Sequence, residues 1–338
     1  MTSWDSHVQQ LIRAPKTWLI TGVAGFIGSN LAEFLLKTSQ RVIGIDNLST
    51  GKLENVNLLK SLAGAENKSE FSFFEGDIND YRLCFENIKK ADYILHQAAL
   101  GSVPRSLKDP LASNYANISG TLSILQACRE AGAKKLVFAS SSSVYGDSDK
   151  LPKKEGEEGC PLSPYAITKA VNELYATNFS RMFEMSIVGL RYFNVFGRRQ
   201  DPAGPYAAVI PRWIKALINE QECEIYGDGE TSRDFCYIDN VIQANILAAV
   251  TELEPKKFYP LNIACGDNTS LNKLHSILAE AVKNSFKVEI LPPKYLDFRS
   301  GDVRHSLADI SDAKSLISYL PVVDVATGII ETVNAYTA

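Results

Sequence analysis

Thr21-Gly22-Val23-Ala24-Gly25-Phe26-Ile27-Gly28 decides the architecture of this chain. It closes an apolar, β-prone run that begins at Thr17, and it opens a segment, 26–36, whose apolar residues recur with helical period. The glycines therefore stand where a strand turns into a helix. Gly22 permits the tight turn, Gly25 lets the backbone come close to a bound group, and Gly28 lets the helix lie close to the strand. Amide groups and the helix dipole at such a turn face an anion. The spacing is G-x-x-G-x-x-G rather than G-x-G-x-x-G, and taken alone it also fits a plain strand–helix connection.

Moving outward, further apolar strands are predicted at 41–46, 71–75, 92–96, 135–139 and 186–191, with helical stretches between them. One long helix is expected over 111–131 and another from about Pro164. Strands alternating with helices predict an α/β fold, a Rossmann-like doubly wound parallel sheet covered on both faces. Ligands of such sheets bind at the carboxyl ends of the strands. After Arg191 the alternation fails, and turns such as Gly227-Asp228-Gly229 suggest a smaller mixed α/β lobe. The expected division is a dinucleotide-binding domain over 1–191, with a returning segment near 236–259, and a C-terminal substrate domain over 192–338.

The bulk composition is ordinary for a globular chain of 338 residues, with 45% apolar and 22% charged residues. A net charge of -4 argues against nucleic acid as a partner, although a local arginine cluster could still hold an anionic substrate. The six cysteines form no C-x-x-C pair and none lies near a histidine at ligand spacing, so free thiols and no metal are expected. No leader-like apolar stretch and no membrane-spanning run is seen, which suits a cytoplasmic protein.

Asp46 ends the second strand, where an acidic side chain binds ribose hydroxyls and repels a 2′-phosphate. Asn47 and Leu48 follow it, not arginine, so NAD is favoured over NADP. Asp77 could reach the adenine side or could cap the next helix. Gln97-Ala98-Ala99 ends the fourth strand with small residues suited to a passing cofactor. Farther on, Tyr165 has Lys169 one helical turn away on the same face. A neighbouring ammonium is expected to lower the phenol's pKa, as a base working near neutral pH requires. Ser141, Ser142 and Ser143, at the end of the fifth strand, could hydrogen-bond a reacting oxygen, or could form a polar turn.

These residues resemble the extended short-chain dehydrogenase/reductase superfamily, over nearly the whole chain. Within it the sequence is most similar to the UDP-hexose 4-epimerases, and to the bacterial UDP-N-acetylglucosamine 4-epimerases among them. The strings that carry this begin at His96-Gln97-Ala98-Ala99, Leu190-Arg191-Tyr192-Phe193-Asn194, Gly227-Asp228-Gly229-Glu230 and Phe298-Arg299-Ser300-Gly301. The resemblance implies that Tyr165 takes the proton from sugar O4 while C4 passes hydride to bound NAD. It implies that Lys169 holds the nicotinamide ribose and that Ser141, helped by Ser142 or Ser143, orients O4. The 4-keto sugar then rotates and the hydride returns to its other face.

The same likeness puts Phe26, Ile27, Asn47, Ile78 and Tyr192 with the glycines at the cofactor. It puts Gly101, Ser102, Asn194, Ala208, Val209, Tyr226, Arg233, Arg299 and Asp302 at the UDP-sugar, with the arginines on the diphosphate. An ion pair of Arg233 with Asp234 is the plain alternative. Ser306 falls where a small residue leaves room for an N-acetyl group. The serines replace the carboxyls that sugar dehydratases carry before Val144-Tyr145-Gly146, so epimerisation is implied rather than elimination. The alternatives are a UDP-glucuronate 4-epimerase and a non-catalytic NAD-sensing protein. A homodimer is expected, packed through the 111–131 helix and the helix carrying Tyr165.

Overall fold

The computed structural model describes residues 3–64, 69–202, 207–298 and 303–337. Seven strands make one parallel sheet: β1 (Thr17–Thr21), β2 (Arg41–Asp46), β3 (Glu70–Glu75), β4 (Tyr93–His96), β5 (Lys135–Ser141), β6 (Ser186–Tyr192) and β7 (Lys257–Ile263). Their order is β7-β6-β5-β4-β1-β2-β3. The direction of winding reverses between β1 and β4, whose pairing runs from Trp18 opposite Tyr93 to Thr21 opposite His96. That reversal opens a crevice at the carboxyl edge, the place where ligands enter such sheets.

Both faces of the sheet are covered, so its inner strands are apolar throughout rather than alternating. Trp18 and Ile20 of β1 face one layer with Leu31, Leu35, Val137 and Val188. Leu19, between them, faces the other with Ile45, Ile94, Leu136, Phe138 and Ile187. Each such large side chain stabilises the fold by roughly 1.5–3 kcal/mol when fully buried.

The chain beyond β6 builds the smaller lobe and then returns. Helix Ile238–Val250 is buried on nearly all sides and packs on β4, β5 and β6 before β7 joins the sheet edge. The lobe itself holds short strand pairs, including Glu224–Tyr226 with Lys294–Leu296 and Ser232–Arg233 with Thr269–Ser270. Among the described residues its helices are Val209–Ile218, Leu271–Phe286, Ser311–Ile317 and Val325–Asn334. No helix among them is long and apolar enough to cross a membrane.

The continuous helix expected over 111–131 is not formed. It divides into Pro110–Asn114, a π-turn at Tyr115–Ser119 and Gly120–Glu130. The break is held by Asn117, which is fully buried. Its amide accepts from Leu100 N at 2.7 Å and donates to Leu100 O at 3.1 Å and to Thr168 Oγ1 at 3.0 Å. A wider turn at a functional site is a common use of π geometry.

Candidate active site

The glycine turn is set by steric exclusion. Gly22 has φ +70°, and a Cβ there would stand 2.8 Å from Ala98 Cα. A Cβ on Gly28 would lie 2.1 Å from Gly22 O, so only glycine lets helix Phe26–Lys37 begin this close to β1. The helix N-cap, Gly25, supplies no side-chain cap bond, which leaves the first amides open to an outside acceptor.

This turn forms one wall of a cleft of about 470 Å³. Gly22, Gly25, Phe26, Ile27, Gly28, Asp46, Asn47, Asp77, Ile78, Gln97, Ala98, Ala99, Gly101, Tyr165, Lys169 and Tyr192 all line it. Asp46 accepts from Ala24 N at 2.9 Å and Leu48 N at 2.8 Å. Its burial raises the carboxyl pKa and the two amide bonds oppose that rise. Asp77 does not cap the next helix, because Asp80 does so through Leu83 N. Asp77 instead accepts from Asn79 and from Asn47 Nδ2, the latter at 2.7 Å. Burial acts to raise its pKa, but those bonds outweigh it and hold the carboxyl below its ordinary value. Gln97 is fixed by Asn245 at 2.9 Å and by the Tyr192 hydroxyl at 3.0 Å, and Asn245 closes the triangle by donating to Tyr192 at 2.9 Å.

Tyr165 and Lys169 stand at the other end of the cleft on helix Pro164–Phe183. Ser163 caps that helix through Ala166 N, and Ser106 Oγ accepts from Tyr165 N at 3.0 Å. Lys169 Nζ donates to Ala139 O at 2.7 Å and lies 5.9 Å from the centre of the Tyr165 ring. The expected lowering of the phenol's pKa is not found. Burial dominates and raises it, and the opposing influence is a hydrogen bond from Ser141, not the ammonium. Burial also lowers Lys169 to about 8, against the pull of Glu173. His96 lies beneath, between Thr21 Oγ1 at 2.7 Å and Thr121 Oγ1 at 3.0 Å, and burial reinforced by Lys169 pushes it down to about 3.

The serine run divides its tasks. Ser140 turns inward and donates to Glu173 Oε1 at 2.6 Å. Ser141 reaches Tyr165 and also accepts from Ser143 N at 3.1 Å. Of the run only Ser140 lines the cleft; Ser141 stands outside that lining, as do Ser142 and Ser143, which begin a short 3₁₀ turn, and Ser143 Oγ is buried without a protein partner.

The described residues expected at the UDP-sugar are not among those that line this cleft, Gly101 excepted. Asn194, with φ +33°, donates from its side chain to Asp234 O at 3.0 Å. Arg233 donates to Ser232 O at 3.0 Å and Arg304 O at 3.3 Å. Asp234 turns inward, accepting from the amides of Cys265, Gly266 and Ala308. Ala208 is the N-cap of helix Val209–Ile218, and Tyr226 ends a short strand beside Gly227. Ser102 has φ +96° and accepts from Arg105 N. Ser306 is half-buried, and its amide donates to Ser232 O at 3.1 Å. Arg299 and Asp302 lie outside the described residues. Among the described residues no cluster could hold a metal ion, and the cysteines are free.

Two parts of the site were not foreseen. Asn117 ties the cleft wall at Leu100 to the helix of Tyr165, and nothing in the sequence singles it out from the neighbouring Ser113, Asn114 and Ser119. Glu173 sits two turns beyond Tyr165 on the same face, a spacing that the sequence does display.

Comparison with known proteins gives this geometry its family. The sequence profile described as "NAD dependent epimerase/dehydratase family" matches residues 18–264. The chain belongs to that family. Its cofactor is accordingly NAD, and the open amides, the acidic strand end and the small-residue floor of the cleft fit a dinucleotide. A structure of UDP-N-acetylglucosamine 4-epimerase from Methanobrevibacter ruminantium M1, in complex with UDP-N-acetylmuramic acid, superposes with a TM-score of 0.86. It is 41% identical, with 96% of this chain and 98% of that chain covered. A UDP-glucuronate 4-epimerase from Thermodesulfobacterium geofontis is 36% identical over 94% of this chain and 95% of its own. A UDP-glucose 4-epimerase from Mycolicibacterium smegmatis is also 36% identical, over 94% and 97%.

Proposed function

We propose that this protein is a UDP-sugar 4-epimerase that interconverts UDP-GlcNAc and UDP-GalNAc. The observation that carries the reading is the pairing of Tyr165 and Lys169 in the same cleft as the glycine turn, with Ser141 hydrogen-bonded to the phenol. NAD, when bound, supplies a reversible hydride acceptor at C4. The chain's own residues handle the proton. Tyr165 takes it from the sugar O4 hydroxyl, Ser141 orients that oxygen and its hydrogen bond favours the phenolate, and the Lys169 ammonium, 5.9 Å from the centre of the Tyr165 ring, holds the nicotinamide ribose. Asp46 holds the adenosine ribose, and Asp77 and Ile78 border the adenine side. Asn194 and Arg233, with Arg299, hold the diphosphate. Ala208, Val209 and Tyr226 border the uridine, with Asp302 on its ribose.

The preference for an N-acetyl sugar rests on Ser306, a small residue, and on the 41% identity to a UDP-N-acetylglucosamine 4-epimerase. A glucuronate substrate is the second reading, favoured by the relative of that activity at 36% identity. Incubation with UDP-GlcNAc, UDP-glucose and UDP-glucuronate, followed by NMR of the sugar protons, separates them. Turnover of UDP-GlcNAc to UDP-GalNAc is expected, and turnover of UDP-glucuronate alone would defeat the substrate assignment.

We further assign residues 1–191, with a returning segment near 236–259, to cofactor binding and 192–338 mainly to the UDP-sugar. A homodimer fits the apolar stripe of Leu111, Ile167, Leu174 and Met182, exposed by 82%, 49%, 69% and 66%. Light scattering at working concentration should give twice the mass of one chain.

A further inference from the structure

Helix Pro164–Phe183 carries a third polar residue in register with the reactive pair. Tyr165, Lys169 and Glu173 succeed one another at four-residue intervals, so they share one face. Glu173 is buried and is met by two other elements at once. Ser140 of β5 donates to Oε1 at 2.6 Å. Arg191 of β6, which stands opposite Ser140 in the sheet register, clasps both carboxylate oxygens, Nε to Oε1 at 3.0 Å and Nη2 to Oε2 at 2.7 Å.

The remaining Arg191 nitrogen is also used. Nη1 donates to the Tyr145 hydroxyl at 3.1 Å and to Glu158. The Tyr145 hydroxyl donates to Asn262 Oδ1 at 2.7 Å, and Asn262 Nδ2 ends the chain by donating to the carbonyls of Lys153 and Asp309. A buried pair with this many satisfied donors is rigid, and rigidity next to a reacting group has a use.

We propose that Glu173, oriented by the Arg191 fork, is a positioning residue that fixes the charge state and place of Lys169. The proposal rests on the epimerase reading above for what Lys169 does, but not for its own geometry. The Lys169 ammonium touches the Ala139 carbonyl on β5 and lies over the Tyr165 ring on its own helix, while Glu173, one turn further along that helix, and His96 on β4 act on it through their charge or the lysine's. Arg191 on β6 stands behind Glu173. Of the side chains, only Glu173 opposes the loss of the lysine's proton. Its bond to Ser140 also anchors the strand end from which Ala139 accepts Lys169 and Ser141 reaches Tyr165.

The test uses the whole chain with lysines labelled at the ε-carbon. NMR titration of the NAD-free protein, with Lys169 assigned by a Lys169→Met variant, reads the ammonium directly. Wild type should titrate at about 8. Glu173→Gln should make Lys169 at least ~10-fold more acidic, because a buried negative neighbour is removed and Arg191 is left. The alkaline limb of the kcat profile should move to lower pH with it. A purely structural residue would lower stability without moving that limb.

Arg191→Lys keeps the charge and loses the fork. It should leave Lys169 titrating as in wild type while lowering kcat by ~10-fold or more with little change in KM, as misplacement of a catalytic group does. It also serves as the test should Glu173→Gln not fold. An unmoved Lys169 in Glu173→Gln, or a wild-type kcat in Arg191→Lys, would overturn the proposal. Absence of turnover in the wild type with a shifted Lys169 in Glu173→Gln would instead overturn the epimerase reading and leave the geometry intact.

Discussion

Replacing Gly28 by alanine separates the cofactor cradle from the rest of the fold. The added Cβ would lie 2.1 Å from Gly22 O, 2.8 Å from Gly22 C and 2.9 Å from Val23 Cα. All three are backbone atoms, so no side chain can turn away. To bring the first contact to 3.0 Å the start of the Phe26–Lys37 helix must retreat by 0.9 Å. An amide that would bond a phosphate at about 2.9 Å then stands nearly 1 Å farther off, beyond hydrogen-bond range. A hydrogen bond to a charged group is worth about 1.5–3 kcal/mol, so losing one and weakening its neighbour should cost about 2–3 kcal/mol. That corresponds to a roughly 30- to 150-fold rise in Kd for NAD. Stability should change less, because overpacking costs about 1–3 kcal/mol and alanine returns about 1 kcal/mol of helix propensity. Calorimetric titration of NAD into cofactor-free protein, alongside urea unfolding, measures both. A Gly28→Ala protein that binds NAD within about threefold of wild type would refute the reasoning, since 1.4 kcal/mol is already tenfold.

Other perturbations follow from the same contacts. Tyr165→Phe should reduce kcat by about 10²–10⁴-fold, the usual contribution of a positioned acid–base group, while the NAD content of the purified protein stays that of wild type. Tyr192→Phe leaves Gln97 Oε1 without its hydroxyl partner and should lower the unfolding free energy in urea by about 1–3 kcal/mol. Glu155 accepts from Asn262 N at 2.6 Å, and burial raises its pKa from 4.5 to about 7. The folded chain therefore holds that proton more tightly than the unfolded chain. Its contribution to stability is full below pH 4.5 and is lost as the pH rises through about 7. Glu155→Gln should flatten this part of the pH dependence, read as urea midpoints at pH 5 and pH 8; an unaltered slope would contradict it.

The sheet and the glycine turn were legible because their determinants are local. Apolar runs such as 17–21 and 135–139 lie in β1 and β5, and the excluded Cβ at Gly28 is a matter of six residues. That Tyr165 and Lys169 share one helix face could be read from their spacing alone. What could not be read was burial. From Tyr165 and Lys169 in sequence, the charge effect looks dominant, yet in the folded chain desolvation raises the phenol. Contacts between distant segments were equally hidden. Asn245 reaches Gln97 only because helix Ile238–Val250 returns under the sheet, and Asn117 breaks a helix only because Leu100 and Thr168 converge on it. The sheet's last strand, β7, extends through Ile263, beyond the expected returning segment, paired along its whole length with β6 from Lys257 opposite Ser186 to Ile263 opposite Tyr192.

The most direct test follows the hydrogen on the sugar. UDP-GlcNAc carrying deuterium at C4 should be converted in ordinary water to UDP-GalNAc with the deuterium still at C4, because Tyr165 exchanges only the proton on oxygen. Proton NMR that shows C4 of the product filled from solvent would contradict the account.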